Sequence, residues 1–527
     1  MNALQLFELM IAMLPVIIAL HYLATRFGLP PAIPLLIGGA LMAFVPGLPA
    51  FTPDSELILV IFLPPLLIDG AWSISIRHLH RHMIGVLALA IGAVLFTTIV
   101  VAVVAHWLFP SLPWAACAAL GAIVSPPDAV SARAVLQRVK LPRRLLTLLE
   151  GESLLNDASG LVLFRFAIAA SVTGTFSAGQ AFESFVLLAS GGIAIGLLVG
   201  AAWVLIAPKL KDEYLIIAAT LLVPWAAYIL GERFHVSGVI ATVTAGMICG
   251  TYQYKVFSAA TRMRGGSFWT VMIFLMETAV FMLIGLSLRG VVDRVGGFGV
   301  VIEQMGGPVL LVLLALLVAR FAWVFLSDAV ILLCRALGVR RYTALGPRNA
   351  VVLGWAGVRG VVTLALALSL PESFPGRDFI LVTAFAVILG TVLIQGTTLA
   401  ALIRWTGLVA PESDQSRLTL HEAEAAIMQT QLAYIQTNAY DANGELVHPM
   451  LLAQYTKKAA AYDRFVGQAE ALTPGLHAHY DIVLAAIAAS RTELIRLHRV
   501  GDIDEHTLGE LQKNLDLEEL NAIAVRS

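Results

Sequence analysis

Four polar residues stand close together in a largely apolar stretch of the chain, residues 149–165, which reads LEGESLLNDASGLVLFR. They are Glu152, Ser153, Asn156 and Asp157. Residues four apart share a helix face, so Glu152 joins Asn156, and Ser153 joins Asp157, on adjoining faces. An ionisable residue at membrane depth is costly and by default marks a functional site. Hard oxygen ligands of this kind suit a small cation.

The composition predicts a membrane protein with many spans. The chain has 527 residues, of which 59% are hydrophobic and 13% charged, and its mean hydropathy is +0.85. Soluble domains carry about 25% charged residues. The first apolar run lacks a preceding basic segment and is expected to be a membrane helix rather than a cleaved signal. The three cysteines suggest neither disulfides nor a zinc site.

No phosphate loop or dinucleotide fingerprint occurs in the sequence, so ATP-driven transport is not indicated. We therefore expect no cofactor, no enzymatic activity and no nucleic-acid partner. The expected environment is the lipid bilayer.

Spans of about 20 apolar residues are the units that cross a bilayer. Thirteen such helices are predicted, in an all-α fold. They cover residues 5–25, 31–46, 56–74, 84–108, 113–136, 146–170, 182–206, 214–231, 236–251, 268–288, 308–334, 347–369 and 379–404.

Lys and Arg are unevenly divided between the predicted loops. Loops after odd-numbered helices hold 18 of them and loops after even-numbered helices hold 4. Because cytoplasmic loops are rich in these residues, we expect a multi-pass protein of the inner (plasma) membrane, with its N-terminus outside and its C-terminus in the cytoplasm. One such basic loop is expected to contain His78, His80 and His82.

The sequence predicts two domains, a transmembrane domain at 1–410 and a helical cytoplasmic region at 411–527. After Pro411 the chain holds 9 Lys and Arg against 17 Asp and Glu, whereas the preceding part holds 25 against 18. Four helices are expected in this acidic region, at 412–435, 449–470, 478–499 and 504–523. A turn is expected at 441–444, which reads DANG.

Two predicted helices carry signals of a break near the membrane centre. The fifth contains Ser125-Pro126-Pro127-Asp128, and two consecutive prolines remove two backbone donors. The twelfth reads GWAGVRG at 354–360, with Arg359 among three glycines. A proline kink and close-packing glycines are the simpler interpretations. Interrupted helices at matching positions in two halves instead favour 6+6 inverted repeats with an ion site at their interface.

Arg359 at membrane depth needs an acidic partner or a water-filled cavity. Glu152 is the expected partner, which leaves Asp157 free to titrate. Asp69, after the Pro64-Pro65 pair of the third helix, is expected to form a third wall of the site. Further charged residues in apolar runs are expected to form structural ion pairs, and these are Glu277, Arg320 and Asp328.

Four segments of residues 1–405 resemble bacterial members of the monovalent cation:proton antiporter family, which includes the sodium/proton exchangers. They are PPLLIDG at 64–70, SPPDAV at 125–130, GESLLNDA at 151–158 and WAGVRGVV at 355–362. The resemblance implies a homodimer with crossed, unwound helices that works by an elevator-like motion.

The resemblance also implies roles for single residues. Asp157 is the titrating carboxylate, and Glu152 with Arg359 is a buried ion pair. Pro127 stands where relatives often have Thr, so a ligand from that position is expected to be its backbone carbonyl. The expected ion-binding residues are Asp157, Asn156, Asp128, Ser153, Asp69 and Pro127, with Asp157, Asp128 and Ser153 as direct ligands of a monovalent cation.

The resulting hypothesis is electroneutral exchange of Na⁺ (or Li⁺) for H⁺, because Asp157 can hold one proton or help to hold one cation, but not both. A K⁺/H⁺ antiporter has the same ligand types and stays open. An intramembrane aspartyl protease is a remote alternative, because the usual Gly-x-Gly-Asp segment is missing. A passive cation channel is the last alternative. A role in pH homeostasis follows from the antiport hypothesis.

Overall fold

The computed structural model describes residues 3–45, 55–74, 76–128, 141–173, 178–338, 344–408, 420–441, 444–466 and 469–526. Within these ranges the regular structure is helical, apart from one isolated bridge between Tyr440 and Leu446. Helices prevail because a lipid environment offers no partner to backbone N–H and C=O groups, and a helix satisfies them internally. The chain divides into two compact units, Met1–Ala410 and Pro411–Ser527.

In the described residues of the first part of the membrane unit there are seven helices, the last of which carries the polar cluster. A π-helical segment, Ala88–Ala93, joins the fourth to the fifth. The helices are α1 Ala3–Phe27, α2 Ala32–Ala43, α3 Ser55–Ser73, α4 Ile76–Leu87, α5 Val94–Leu108, α6 Trp114–Val124 and α7 Arg143–Thr173.

The rest of the membrane unit contains, within the described ranges, two further π-helical segments. Val301–Met305 leads into the helix that begins at Gly306, and Thr391–Gln395 links the last two helices. The helices of this part are α8 Ala178–Ile206, α9 Glu213–Arg233, α10 Gly238–Val256, α11 Ala259–Val295, α12 Gly306–Ala336, α13 Pro347–Trp355, α14 Val361–Leu368, α15 Arg377–Gly390 and α16 Gly396–Thr406.

Helices lie at the positions of all thirteen predicted spans, and the all-α fold is confirmed. Seven helices of the described ranges are long and apolar enough to cross a membrane, and four shorter apolar helices accompany them. The exact number of spans therefore stays a prediction. The predicted twelfth span is two helices, α13 and α14, because residues 356–360 are not helical. After α6, residues 125–128 are likewise not helical, and residues 129–140 lie outside the described ranges.

The prediction of a basic loop around His80 is wrong. The residues of this segment belong to α4, where His80 and Arg81 are exposed. The same helix buries Leu79 and Val86. A helix with one polar and one apolar side explains both facts, because the basic residues occupy the exposed side of its first turns.

Close backbone packing joins α2 to α11. A Cβ atom added at Gly39 would overlap the carbonyl of Met282, and one added at Gly285 would overlap the carbonyl of Leu36. Small residues permit this approach between membrane helices, where van der Waals contact replaces the hydrophobic effect as the source of association.

The described residues of the second unit form four helices, close to the four that the sequence predicts. α17 packs on α18 and α19 packs on α20. Arg491 of α19 bridges to two acids of α20, Asp516 and Glu519. Of the predicted turn at 441–444, residues 442–443 lie outside the described ranges, and Gly444 has a φ of 83°. The helices are α17 Leu420–Asn438, α18 Pro449–Phe465, α19 Ala469–Val500 and α20 Glu505–Arg526.

Candidate functional site

The polar residues of α7 divide between two adjoining faces of that helix. Ser153 and Asp157 lie on one face, together with Glu150 one turn before Ser153. Glu152 and Asn156 lie on the next face and are buried, with exposed fractions of 1% and 0%. One helix therefore presents its acids to two different surroundings.

Glu152 forms a bidentate ion pair with Arg320 of α12. Arg320 Nη1 donates to Glu152 Oε1 over 2.6 Å, and Nη2 donates to Oε2 over 3.0 Å. Both side chains are 2% exposed. Arg320 Nη2 also donates to the carbonyl of Leu353, over 3.2 Å. The prediction of a structural ion pair for Arg320 is thus confirmed, and the structure corrects the predicted partner of Glu152.

Arg359 binds backbone carbonyls instead of forming the predicted pair with Glu152. Its Nε donates to Val124 O over 3.0 Å and its Nη2 donates to Ser125 O over 3.2 Å. Its Nη1 donates to Gly357 O. These carbonyls stand at the two helix breaks, where the α-helical ladder leaves acceptors without a partner. The buried guanidinium of Arg359 supplies hydrogen-bond donors to these carbonyls and so stabilises both breaks.

The two breaks lie directly against each other. Asp128 N donates to Val358 O over 2.7 Å, which links the segment after α6 to the segment between α13 and α14. A Cβ atom added at Gly360 would overlap the carboxylate of Asp128, so the backbone passes very close to that acid. The neighbouring hydroxyls of Thr98 and Ser125 are 3.0 Å apart. The described residues therefore contain two unwound segments in direct contact, and the continuation of the first helix lies in residues 129–140, outside the described ranges.

A cavity of about 40 Å³ opens between α3, α7, α14 and the segment after α6. That volume is enough to hold a water molecule, which needs about 10–15 Å³ by this measure. Its apolar wall comes mainly from α3 and α14, and its polar wall from α7 and the segment after α6. The lining residues are Leu63, Leu66, Leu67, Gly70, Asp128, Glu150, Ser153, Leu154, Asp157, Val361 and Val362.

Asn156 connects α7 to the proline pair of the first break. Its Nδ2 donates to the carbonyl of Pro127 over 2.5 Å. Its Oδ1 is buried and has no hydrogen-bond partner among the residues that the structure describes. An unpartnered buried acceptor is costly, so this oxygen is suited to a water molecule or a cation.

The structure brings most of the predicted ligands together. Asp157 (9% exposed), Asp128 and Ser153 line the cavity. Asn156 and Pro127 are bonded to each other next to it. Asp69 is half-buried on α3, and the described cavity lining includes its neighbour Gly70 but not Asp69 itself.

One cavity residue was not identified from the sequence. Glu150 lines the cavity, seven residues before Asp157 and three before Ser153. The spacing i, i+3, i+7 is the signal that identifies it, since these positions share a helix face.

Asp328, for which a structural ion pair was predicted, fixes the backbone before α13. Its carboxylate accepts hydrogen bonds from Leu345 N over 2.5 Å and Gly346 N over 3.1 Å. Arg144, near the start of α7, donates to the carbonyl of Ala344 over 3.1 Å. These contacts set where the first of the two half-helices, α13, begins.

The chain is similar to known proteins in its sequence and in its fold. The sequence model of the family described as "Sodium/hydrogen exchanger, transmembrane" matches residues 12–405. A Mycobacterium tuberculosis protein named an uncharacterised Na⁺/H⁺ exchanger is 29% identical over 529 residues, covering 97% of this chain and 95% of its own. A Bacillus subtilis protein named a sodium, potassium, lithium and rubidium/H⁺ antiporter is 30% identical, covering 96% of this chain and 77% of its own.

Among solved structures, the sodium proton antiporter of Methanocaldococcus jannaschii determined at pH 8 shares the fold. The TM-score is 0.60 at 21% sequence identity, and the match covers 76% of this chain and 97% of that one. At this identity the likeness concerns the arrangement of helices.

Proposed function

The chain belongs to the sodium/hydrogen exchanger family, whose members are membrane transporters and not enzymes, and from that membership we propose that it exchanges Na⁺ for H⁺ at the cavity of α7. The observation that carries the proposal is the position of Asp157. This buried carboxylate opens into a small cavity together with Asp128 and Ser153, at the crossing of two interrupted helices.

The exchange follows from competition for one carboxylate. Asp157 holds a proton in one half of the cycle and a dehydrated cation in the other, since both occupy the same oxygen atoms. Ser153 and Asp128 add oxygen ligands from the cavity wall, and hard oxygen ligands suit a small alkali cation. Asn156 Oδ1 is a further acceptor next to them.

We propose a stoichiometry of one cation for one proton, and hence electroneutral exchange. The residue beside Asp157 is Asn156, whose amide can help to bind a cation but does not titrate. Glu152 is neutralised by Arg320. Asp157 is then the carboxylate that changes its protonation state during a cycle.

Alternating access requires the site to face each side of the membrane in turn. In the proposed mechanism the two broken helices move as one body, because Arg359 and the Asp128–Val358 hydrogen bond join them. We propose a homodimer in the inner (plasma) membrane, with the N-terminus outside and residues 411–527 in the cytoplasm. The basic residues concentrated in alternate loops support this orientation.

K⁺/H⁺ exchange is the second candidate function. The Bacillus subtilis relative, named for transport of sodium, potassium, lithium and rubidium, matches 96% of this chain. The ligand types of the cavity are the same for each of these ions, so the same site serves both candidates.

The test is proton flux in liposomes that contain the purified full-length chain and an internal pH dye. Collapse of an imposed pH gradient on addition of Na⁺ supports the proposal, and the same assay with Li⁺ and K⁺ ranks the ions. The Asp157→Asn variant is expected to show no response. Unchanged exchange in that variant would contradict the proposed site, and cation flux without proton movement would indicate a channel.

A further inference from the structure

Gln395, the last residue of the π-helical segment between α15 and α16, is 1% exposed. Both ends of its carboxamide, Oε1 and Nε2, are buried and have no hydrogen-bond partner among the residues that the structure describes. Most buried polar atoms of folded proteins do have a partner, which is either protein or ordered water. π-helical turns inside α-helices also occur frequently at functional sites. A buried amide in this setting indicates a bound polar ligand.

The apolar neighbours of Gln395 along its helix place it at the level of the second break, which separates α13 from α14. Before Gln395, Val392 lies in the same buried apolar cluster as Val358. After Gln395, Leu399 lies in the same buried apolar cluster as Ala356. Because residues three or four apart share a helix face, Gln395 is the polar position between these two apolar ones.

Two hydrogen bonds support the same alignment. Thr391 Oγ1 accepts from Arg359 N over 3.0 Å, and Thr398 Oγ1 accepts from Trp355 Nε1 over 2.9 Å. Gln395 stands between Thr391 and Thr398 in the chain and shares a helix face with both. Its carboxamide therefore faces the non-helical residues between Trp355 and Arg359.

The unwound backbone opposite Gln395 offers acceptors to a small polar ligand. Gly357 O accepts from Arg359 and Val358 O accepts from Asp128 N, and a carbonyl oxygen has a second lone pair for a further hydrogen bond. A buried water molecule needs about two to four polar partners, which the two ends of the carboxamide and one such carbonyl supply. The charge of Arg359 in the same segment disfavours a cation there, so a neutral ligand fits.

We propose that Gln395 is a positioning residue of this transporter, which holds the second break in place through one bound water molecule. The water joins the carboxamide to the unwound backbone. That backbone includes Val358, whose carbonyl binds Asp128 N, and Gly360, which lies against the carboxylate of Asp128. Gln395 does not line the cavity, and it acts on the position of Asp128 through the break. The inference rests on the proposed function, in which Asp128 is a ligand of the cation.

Two substitutions separate the effect of the carboxamide from that of the side-chain volume. Gln395→Met keeps the length of the side chain and removes the amide, whereas Gln395→Asn keeps the amide and removes one methylene. Gln395→Met is expected to raise the apparent KM for Na⁺ about five-fold, the effect of one hydrogen bond, with about the same maximal rate. Gln395→Asn is expected to raise it by less. The reverse order, in which the smaller residue has the larger effect, would show that Gln395 only fills space and overturns the inference.

Thermal unfolding of the purified chain gives a second measurement, in which the sign decides. Replacing a buried amide that binds nothing by an apolar group of similar shape is nearly neutral or stabilising, whereas removing one partner of a buried hydrogen bond is destabilising. We therefore expect the Tm of Gln395→Met to fall below that of the unsubstituted protein. An unchanged or higher Tm overturns the inference.

Thr397→Val is the matched control for both measurements. Thr397 is an exposed residue of the same helix, and its hydroxyl donates to the carbonyls of Leu393 and Ile394 one turn earlier. The substitution removes a polar group from the side of the helix that does not face the break. It is expected to leave KM and Tm unchanged, and a change as large as that of Gln395→Met would contradict a specific role for Gln395.

A cryo-electron microscopy map of the full-length chain, at a resolution that shows ordered water, tests the ligand directly. The sample contains choline in place of alkali cations, so that density at this position reports water. Density within hydrogen-bond distance of both the Gln395 carboxamide and the backbone of residues 356–360 supports the inference. Its absence, or a direct hydrogen bond from the carboxamide to that backbone, overturns it.

Asp157→Asn, measured in the same flux assay, tests the proposed function separately. If Asp157→Asn is inactive while Gln395→Met has a normal KM and Tm, only the positioning role of Gln395 is rejected. If Asp157→Asn still exchanges ions, the proposed site itself is rejected. The map and the Tm of Gln395→Met do not depend on transport, and in that case they decide whether Gln395 binds the water molecule.

Discussion

The two faces of α7 place acids of the same chemical type in opposite situations. On one face Glu152 is enclosed and bound through both oxygens to Arg320. On the other, five residues later, Asp157 opens into a cavity. The comparison shows that two buried acids on one helix have different surroundings, and in the proposed mechanism this difference separates a structural acid from a transporting one. Arg320 neutralises the charge of Glu152, whereas we propose that one ion replaces another at Asp157, in the cavity.

The largest expected effect is on transport, from substitution on the cavity face. Asp157→Asn keeps the shape of the side chain and removes its negative charge and its ability to hold a proton, so exchange is expected to fall to the level of liposomes without protein. Thermal unfolding in detergent is expected to stay near that of the unsubstituted protein. Proton flux and Tm together check this, and a folded variant with normal exchange would refute it.

The second prediction concerns the stability of the protein and the face of α7 that carries Glu152. Arg320→Met leaves Glu152 buried without a counter-charge, and breaking a buried pair in this way costs about 3–5 kcal/mol. We expect a clear fall in Tm, measured by thermal unfolding of the purified chain.

The double variant Glu152→Met with Arg320→Met is the control for that prediction. Apolar replacement of both partners of a buried pair is often neutral or stabilising, so its Tm is expected to recover relative to Arg320→Met. If the single variant is as stable as the unsubstituted protein, the contrast between the two faces is wrong.

The third prediction tests the close contact at the helix crossing. Gly360→Ala places a Cβ atom where the carboxylate of Asp128 lies, so that acid must move. A shift of about 1 Å at a reacting site can reduce the rate by up to about 100-fold, and we expect a loss of about ten-fold in the maximal exchange rate.

Gly266→Ala on α11 is the matched control, since an added Cβ there meets no atom within 4 Å. It is expected to exchange ions normally in the same flux assay. Equal rates for the two variants would show that the position of Asp128 does not matter for transport.

The smallest expected change in rate comes from Asn156→Asp, which sharpens the comparison by adding a titrating group beside Asp157. Exchange is expected to continue within a few-fold of the normal rate and to become electrogenic, because a second carboxyl can carry a second proton. A potential-sensitive dye in the liposomes measures this. Exchange that stays electroneutral in this variant would show that the residue at position 156 does not set the stoichiometry.

Much of the fold was predictable because the bilayer imposes simple rules on the chain. Apolar runs of the required length became helices, and two consecutive prolines or closely spaced glycines marked both breaks. The residues that meet in the cavity also share a local spacing. Ser153 and Asp157 are one turn apart, so their common face was evident before any tertiary contact was known.

The partners of the buried charges could not be predicted in the same way. Arg320 and Arg359 are both arginines in apolar helices, and Glu152 lies 168 residues before Arg320. The choice between them depends on how α7, α12 and the breaks pack, and on where unwinding leaves carbonyls without donors. Glu150 was missed for another reason. Its spacing shows that it shares a helix face with Ser153 and Asp157, but a shared face does not show how far a cavity extends along that face.

The glycine contact between α2 and α11 has a mechanical consequence. Each helix presses a glycine against a carbonyl of the other, at Gly39 with Met282 and at Gly285 with Leu36. Sliding one helix past the other by one turn, about 5.4 Å, brings Leu35 or Ala43 to the point of contact in place of Gly39. These contacts therefore fix the axial register of α2 against α11. Any movement that carries the site across the membrane must therefore occur at other helix interfaces. In such a movement α2 and α11 either move together or stay in place together.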